Sequence, residues 1–258
     1  MTVRAAIVRP PGASFARALS EHPDRATIDP ARAAQQHAAY REALRRSGLE
    51  LVELPPDEEL PDACFVDDCA VVAGGDALLT RPGAPSRVAE PERLAAALAG
   101  LVGRVERLLP PATMDGGDVL ALGDTLVVGR SLRTNQDGID QLAAFAAARG
   151  LRVATAELPA GMLHLQSGVT ALRAGAVVGS PALLDQPAFR AVQVKVPVPA
   201  EEAPACNVLA VGGSVVIAAG CPRTAAALAA LGLEVVELDL SEFIKADGGP
   251  TCLSLLAD

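Results

Sequence analysis

At 258 residues and 50% hydrophobic, with aromatics at only 2%, the chain has ample material for a core of Ala, Val and Leu. Its 22 basic and 31 acidic residues leave a formal charge of −9, which argues against a nucleic-acid binder, since phosphate contacts need basic patches. No apolar run approaches the roughly 20 residues needed to span a bilayer, so no membrane association is expected.

The N-terminal run Met1–Arg9 is interrupted by charge and lacks signal-peptide architecture. Five cysteines (64, 69, 206, 221 and 252) form no CxxC pair, so neither a disulfide framework nor a cysteine zinc cluster is expected. These features predict a reduced, cytoplasmic protein with no metal or cofactor. Cys64, Cys69, Cys206 and Cys221 are expected to be core packing.

In chain order, a helix, a glycine stop and a strand recur. Asp29-Pro30 reads as an N-cap with proline at the first helical position, opening a helix that runs through Tyr40 and Leu44 to Gly48. Leu49–Pro55 then alternates as a strand. The pattern returns at Pro91–Gly100 with Val105–Pro110, and at Gly138–Gly150 with Leu151–Ala154. It returns again at Thr224–Gly232 with Leu233–Leu238, and a fainter copy lies at Pro187–Pro197. Glycine just after a helix is the usual left-handed stop.

Between these units lie more apolar hairpins, at Phe65–Arg81, Val119–Gly129, Val169–Gly179 and Val208–Ala219, then a lone strand at Cys252–Leu256. Gly-Asp, Ala-Gly and Gly-Gly pairs mark the turns. The last hairpin lacks a return strand, which Arg4–Val8 at the N-terminus can supply. The predicted fold class is therefore α/β: a five-bladed β/α propeller with pseudo-fivefold ββαβ repeats, closed on itself, with residues 1–258 forming one catalytic domain. An ordinary open α/β sheet is the competing architecture.

Reactive residues fall at one phase of the repeat, where each apolar hairpin begins. They are Asp62, Asp67 and Asp68 in the first unit, Asp115 and Asp118 in the second, His164 in the third, and Asp247 and Cys252 in the fifth. Any one of these could be a solvated turn residue. Equivalent strand ends converge on the axis of a ring, however, so the set is predicted to meet in one pocket. Of the three histidines, His37 is expected to be exposed or capping on its helix and His22 lies in a polar loop. His164, flanked by leucines, is either a core histidine or the acid/base partner of Cys252, with Asp115 as the orienting carboxylate. Cys252 follows Asp247-Gly248-Gly249-Pro250 and is placed at the first position of its strand. Surplus carboxylates around a thiol suit a planar cation such as a guanidinium. Arg87 and Arg133 are the candidates for an α-carboxylate partner.

These residues sit within Leu60-Pro61-Asp62, Phe65-Val66-Asp67-Asp68, Thr80–Arg87, Asp115-Gly116-Gly117-Asp118-Val119, Arg133-Thr134-Asn135, Leu163-His164-Leu165 and Lys245–Cys252. In these motifs, in this order, the chain resembles the dimethylarginine dimethylaminohydrolase family of the pentein superfamily over nearly its whole length. The resemblance implies a hydrolase that converts Nω-methylated arginines to citrulline and a methylamine. Cys252 would attack the guanidinium carbon, and His164, oriented by Asp115, would protonate the departing amine and then activate water. Asp62 and Asp68 would bind the substrate's amine and guanidinium ends, with Asp67, Ala246 and Asp247 nearby, while Arg87 and Arg133 grip the carboxylate. A lid over Ser14–Asp24 would contribute a backbone carbonyl from Leu19 or Ser20. No cofactor or metal is implied.

Two features depart from the family pattern: Asp67 stands where relatives commonly carry glutamate, and the lid segment matches poorly. Arginine deiminase, which runs the same chemistry on unmethylated arginine, is the enzymatic alternative, along with hydrolases of other substituted guanidines. A non-catalytic pentein binding module is the alternative of another class. The expected partner is a small cationic guanidine, and a homodimer is compatible with the sequence.

Overall fold

A computed structural model describes residues 3–173 and 175–257. Met1, Thr2, Ala174 and Asp258 lie outside them, as does half of the Ala-Gly turn expected at Ala174-Gly175. In chain order the elements are β1 (Ala5–Val8), α1 (Pro30–Arg46), β2 (Glu50–Glu53), β3 (Ala70–Ala73), β4 (Asp76–Leu79), α2 (Ala95–Ala99) and β5 (Val105–Arg107). Next come β6 (Val119–Leu122), β7 (Thr125–Arg130), α3 (Gln136–Ala147), β8 (Arg152–Glu157), β9 (Val169–Arg173), β10 (Ala176–Gly179), α4 (Pro181–Leu184) and β11 (Val194–Pro197). The chain finishes with β12 (Leu209–Val211), β13 (Ser214–Ala218), α5 (Pro222–Ala230), β14 (Glu234–Leu238), α6 (Ser241–Ile244) and β15 (Leu255–Ala257).

These strands form five three-stranded sheets with one repeated topology: an inner strand antiparallel to the middle one, and the middle one parallel to the outer. The fifth sheet joins the two ends of the chain. There β15 pairs antiparallel with β1, Ala5 opposite Ala257, and β1 pairs parallel with β2. The N-terminal segment is thus the return strand that the C-terminal one lacks. Local chemistry sets the elements. Asp29 Oδ1 accepts from the amides of Ala31 and Arg32, with Pro30 at the first position of α1. The β3–β4 turn has positive φ at both Gly74 and Gly75, the conformation of a tight hairpin that glycine adopts freely.

The core lies between neighbouring sheets. Ile7 and Leu255 of the fifth sheet meet Val66, Leu79, Leu94 and Leu98 of the first repeat. Leu120 and Val127 of the second meet Val169 and Val177 of the third. Each fully buried Leu, Ile or Val contributes roughly 1.5–3 kcal/mol, so closure of the ring stabilises every sheet through its two neighbours. The inner strands β3, β6, β9, β12 and β15 line a central shaft of about 230 Å³.

A 3-10 turn precedes each inner strand: Val66–Cys69, Gly116–Asp118, Leu165–Ser167, Ala200–Cys206 and Thr251–Leu253. β6 and β9 start at Val119 and Val169 as expected, whereas β3 and β15 begin later than Phe65 and Cys252, because the turn takes up the first residues of those apolar runs. Cys252 therefore sits inside such a turn rather than at the first position of a strand, and His164 caps one. The Pro91–Gly100 helix is broken into a 3-10 turn and the five residues of α2. His37 is neither exposed nor capping. It is fully buried on α1, between Tyr40 and Phe243.

Candidate active site

A pocket opens beside the 3-10 turns of the first and fifth repeats and the His164 cap of the third. It is lined by Leu19, Asp62, Asp68, Arg87, Arg133, His164, Ala246, Asp247 and Cys252, among others. Residues from the first, second, third and fifth repeats, together with the Leu19 segment, are thus brought together as expected. Asp115 lies immediately behind His164, at zero exposure. Three other expected residues do not reach the pocket: Asp67, Asp118 and Ser20.

Asp67 faces the other way. A 3-10 turn has about three residues per turn, so the side chains of Asp67 and Asp68 diverge. Asp68 enters the pocket, whereas Asp67 lines the shaft, where its Oδ2 accepts from Gln166 Nε2 at 3.0 Å. Burial, and then the adjacent Asp68, push the Asp67 carboxyl well above the usual carboxylate range. Ser20 does not line the pocket but ties its segment to the Lys245–Asp247 turn. Its Oγ donates toward Lys245 O and Asp247 Oδ2, both at 2.8 Å, and its carbonyl accepts from Arg25 Nη1 at 3.1 Å. Leu19 lines the pocket, and its amide donates to Asp62 Oδ1 at 2.9 Å. Asp247 holds its latch with φ at +56°, a left-handed conformation rare outside glycine.

A buried charge network forms the pocket wall. Arg87 Nη1 donates to Asp68 Oδ2 at 2.7 Å, while its Nε and Nη2 grip Glu90 at 2.8–3.1 Å. Burial opposes the charge of Arg87, but Asp68 and Glu90 outweigh it. Asp68 Oδ1 accepts from the Gly117 amide at 3.0 Å and lies 3.8 Å from His164 Nδ1. Burial likewise opposes the Asp68 charge, but His164 and Arg87 hold its pKa below the usual value. Asp62 is shifted the other way, upward, because burial there outweighs Arg87 and the Leu19 amide. Arg133 lines the pocket without an ion pair among the described residues.

On its other side, His164 Nε2 lies 2.9 Å from Asp115 Oδ2, and Asp115 Oδ1 accepts from the Gly83 amide at 2.9 Å. Burial works against the imidazolium, yet Asp68, Asp115 and Asp118 raise the His164 pKa to about 9. Asp118 does not enter the pocket. It ties the second repeat to the third by accepting from Ser131 Oγ, Thr134 Oγ1 and the Leu165 amide. The Cys252 thiol is pushed up to about 12 by burial and then by Asp68, with the Gly249 amide opposing.

Sequence reasoning missed two neighbours. Glu90, on the Arg87 side, carries the other half of that ion pair. Asn207 of the fourth repeat reaches Thr251 and Cys252. The phase of the repeat pointed to Asn207, which precedes β12 just as Asp68 precedes β3, but its neutral side chain gave no signal of chemistry. Asp68, Asp115 and His164 do bring donor atoms within 4.8 Å of one another, a spacing compatible with a metal. Those donors are already engaged by Arg87, by Gly117, by Gly83 and by each other.

The arrangement offers a half-buried sulfur, an imidazole backed by a carboxylate, two acidic groups for a cation, and in Arg133 a guanidinium unpaired among the described residues for an anion. Residues 90–203 match a family model described as arginine deiminase. The chain is 43% identical to a Streptomyces coelicolor N(G),N(G)-dimethylarginine dimethylaminohydrolase, over 99% of this chain and 97% of that one. It is 37% identical to the Pseudomonas aeruginosa protein of the same name, over 88% and 89% of the two chains. The structure superposes on a Pseudomonas aeruginosa dimethylarginine dimethylaminohydrolase, a cysteine-to-serine mutant complexed with citrulline, with a TM-score of 0.92 and 34% identity, covering 99% of this chain and 100% of that one.

Proposed function

The chain belongs to the dimethylarginine dimethylaminohydrolase family, and we propose that it hydrolyses Nω-methylated arginines to citrulline and the corresponding methylamine. The observation that carries this reading is the convergence on one pocket of Cys252, of His164 backed by Asp115, and of the carboxylates of Asp62 and Asp68. Such a site is poised for a substrate that brings its own positive charge. A guanidinium beside Asp68 places a cation next to the sulfur, which favours the thiolate, and the thiol proton leaves to solvent. Arg133, with no ion pair among the described residues, suits the α-carboxylate, helped by the second Arg87 Nη1 N–H, the other having gone to Asp68 and those of Nε and Nη2 to Glu90 and the carbonyls of Asp62 and Phe65.

The thiolate then forms a C–S bond to the guanidinium carbon. His164 gives its proton to the methylated nitrogen, and the C–N bond to it breaks, leaving an amidino group on sulfur. His164 is now neutral and takes a proton from water as the oxygen adds to the same carbon. Collapse breaks the C–S bond, the hydroxyl proton returns to the sulfur, and the urea group of citrulline remains. Asp115 keeps the imidazole in register through both proton transfers and stabilises its charged form. The lid contact from Leu19 to Asp62 closes the pocket around the amino-acid end.

Parallel assays of citrulline release from asymmetric dimethylarginine, monomethylarginine and arginine test the reading. Methylated substrates are expected to be preferred. Arginine turned over as efficiently as either would assign the chain to deiminase chemistry, and silence on all three would reject both.

A further inference from the structure

We infer that Asn207, the fourth repeat's contribution to the site, holds the Cys252 sulfur in place and donates an N–H to it when it becomes a thiolate. The inference rests on Cys252 being the nucleophile. Asn207 follows the Ala200–Cys206 turn, two residues before β12, and is 6% exposed. Its side chain leaves its own sheet and crosses to the fifth repeat. There Oδ1 accepts from the Thr251 amide at 3.0 Å, which fixes the oxygen end of the carboxamide. Both Oδ1 and Nδ2 lie within 3.1 Å of the Thr251 hydroxyl.

The second N–H of Nδ2 is directed at Cys252 Sγ, 3.8 Å away. The Gly249 amide approaches the same sulfur at 3.4 Å. The Thr251 hydroxyl also lowers the thiol pKa, so it adds to the polar surroundings of the sulfur. The carboxamide also lies flat against Gly249, where a Cβ would come 2.6 Å from Asn207 Cγ. One side chain therefore braces both ends of the Gly249–Cys252 turn and supplies one N–H of the cradle around the atom that gains charge.

An N–H bond to an anion is roughly twice as strong as one to a neutral acceptor, so the cradle favours the thiolate over the thiol. It works against an adverse field. Asp62, Asp68 and Asp247 face the pocket with Cys252, and Asp67 lies behind Asp68. The cations there, Arg87, Arg133 and protonated His164, make no hydrogen bond to the sulfur among the described residues.

The test is the rate of Cys252 carboxamidomethylation by iodoacetamide from pH 6 to pH 11, followed by peptide mass spectrometry on the whole protein without substrate. In Asn207→Ala the rate between pH 7 and pH 9 is expected to fall about tenfold, the worth of one hydrogen bond to a charged group. Thr251→Val, which keeps Nδ2 but removes a hydroxyl that also favours the thiolate, is expected to slow the reaction less than Asn207→Ala does. An Asn207→Ala profile that overlays the parent's overturns the inference. If that variant does not fold, Asn207→Asp keeps the acceptor for the Thr251 amide and removes the donor. It should be slowed at least as much, and a parent-like profile again overturns the inference. No guanidine enters the measurement, so its result stands apart from the identity of the substrate.

Discussion

His164 Nε2 and Asp115 Oδ2 lie 2.9 Å apart, one side chain from the third repeat and the other from the second, and both are buried. The contact fixes which nitrogen faces Asp115 and leaves Nδ1 on the side of Asp68 and the pocket. Asp115→Asn preserves the shape and removes the charge, so kcat is expected to fall by roughly 10²–10⁴. The imidazole resonance of His164 should titrate lower in the variant than in the parent, since Asp115 is one of the carboxylates that raise its pKa. An unmoved titration in the variant would show that Asp115 does not support the imidazolium.

The same shift predicts a pH dependence of stability. The His164 pKa is raised in the folded protein, from an ordinary 6.5 to about 9. Its stabilisation is therefore complete below about pH 6.5 and is lost as pH rises through about 9, with a full value of roughly 3 kcal/mol. Urea unfolding of the parent at pH 6 and pH 10, set against His164→Asn, isolates this contribution. The parent should lose more stability than the variant between the two pH values, and equal losses would contradict the assignment.

His37 predicts the opposite sign. It is fully buried, its ring nitrogens have no hydrogen-bond partner among the described residues, and burial lowers its pKa to about 3. A lowered pKa means that the unfolded chain takes up a proton below about pH 6.5 while the folded one does not, so stability falls with acidification. His37→Leu should gain roughly 2 kcal/mol more at pH 5 than at pH 8 relative to the parent. A gain that does not change with pH would place the effect in packing alone.

Why His37 was misread is instructive about what a sequence carries. On a helix its neighbours Gln36 and Tyr40 look like a polar face, yet α1 lies across α6, and Phe243 closes over the ring. That contact joins residues about two hundred positions apart and leaves no local trace. The ring of five repeats was legible because each repeat carries its own glycine stops and apolar alternation, and because Arg4–Val8 matched the missing strand. The convergence of Asp68, His164 and Cys252 followed from phase. The opposite facing of Asp67 and Asp68 did not, since it depends on a 3-10 turn that apolar patterning cannot distinguish from the start of a strand. Asn207 was hidden because neutral amides are common at turns for reasons unrelated to chemistry.

Gly117 offers a sharper test of the geometry. A Cβ there would come 2.7 Å from Asp68 Oδ1 and 3.0 Å from His164 Nδ1. The Gly117 amide also donates to Asp68, so the backbone cannot retreat without losing that bond. Gly117→Ala should push Asp68 and His164 apart and lower kcat/KM by at least about tenfold, the equivalent of one charged hydrogen bond. Full activity in a folded variant would mean that Asp68 and His164 need not be held together.

The lid gives the last prediction. Ser20 Oγ bridges Lys245 O and Asp247 Oδ2 and also accepts from the His22 amide at 2.9 Å. The Glu21 amide adds a bond to the same Asp247 oxygen at 2.9 Å. Ser20→Ala removes the bridge and leaves the Leu19–Asp62 bond as the tie nearest the pocket. Hydrogen bonds of this kind are worth about 1 kcal/mol each, so the closed lid should lose roughly 1–2 kcal/mol relative to open forms. If closure is linked to substrate binding, KM should rise about fivefold to thirtyfold with kcat little changed. Limited proteolysis within residues 14–24 should quicken in step and slow again with saturating substrate. A rise in KM without faster cleavage would mean that Ser20 acts on the substrate rather than on the lid.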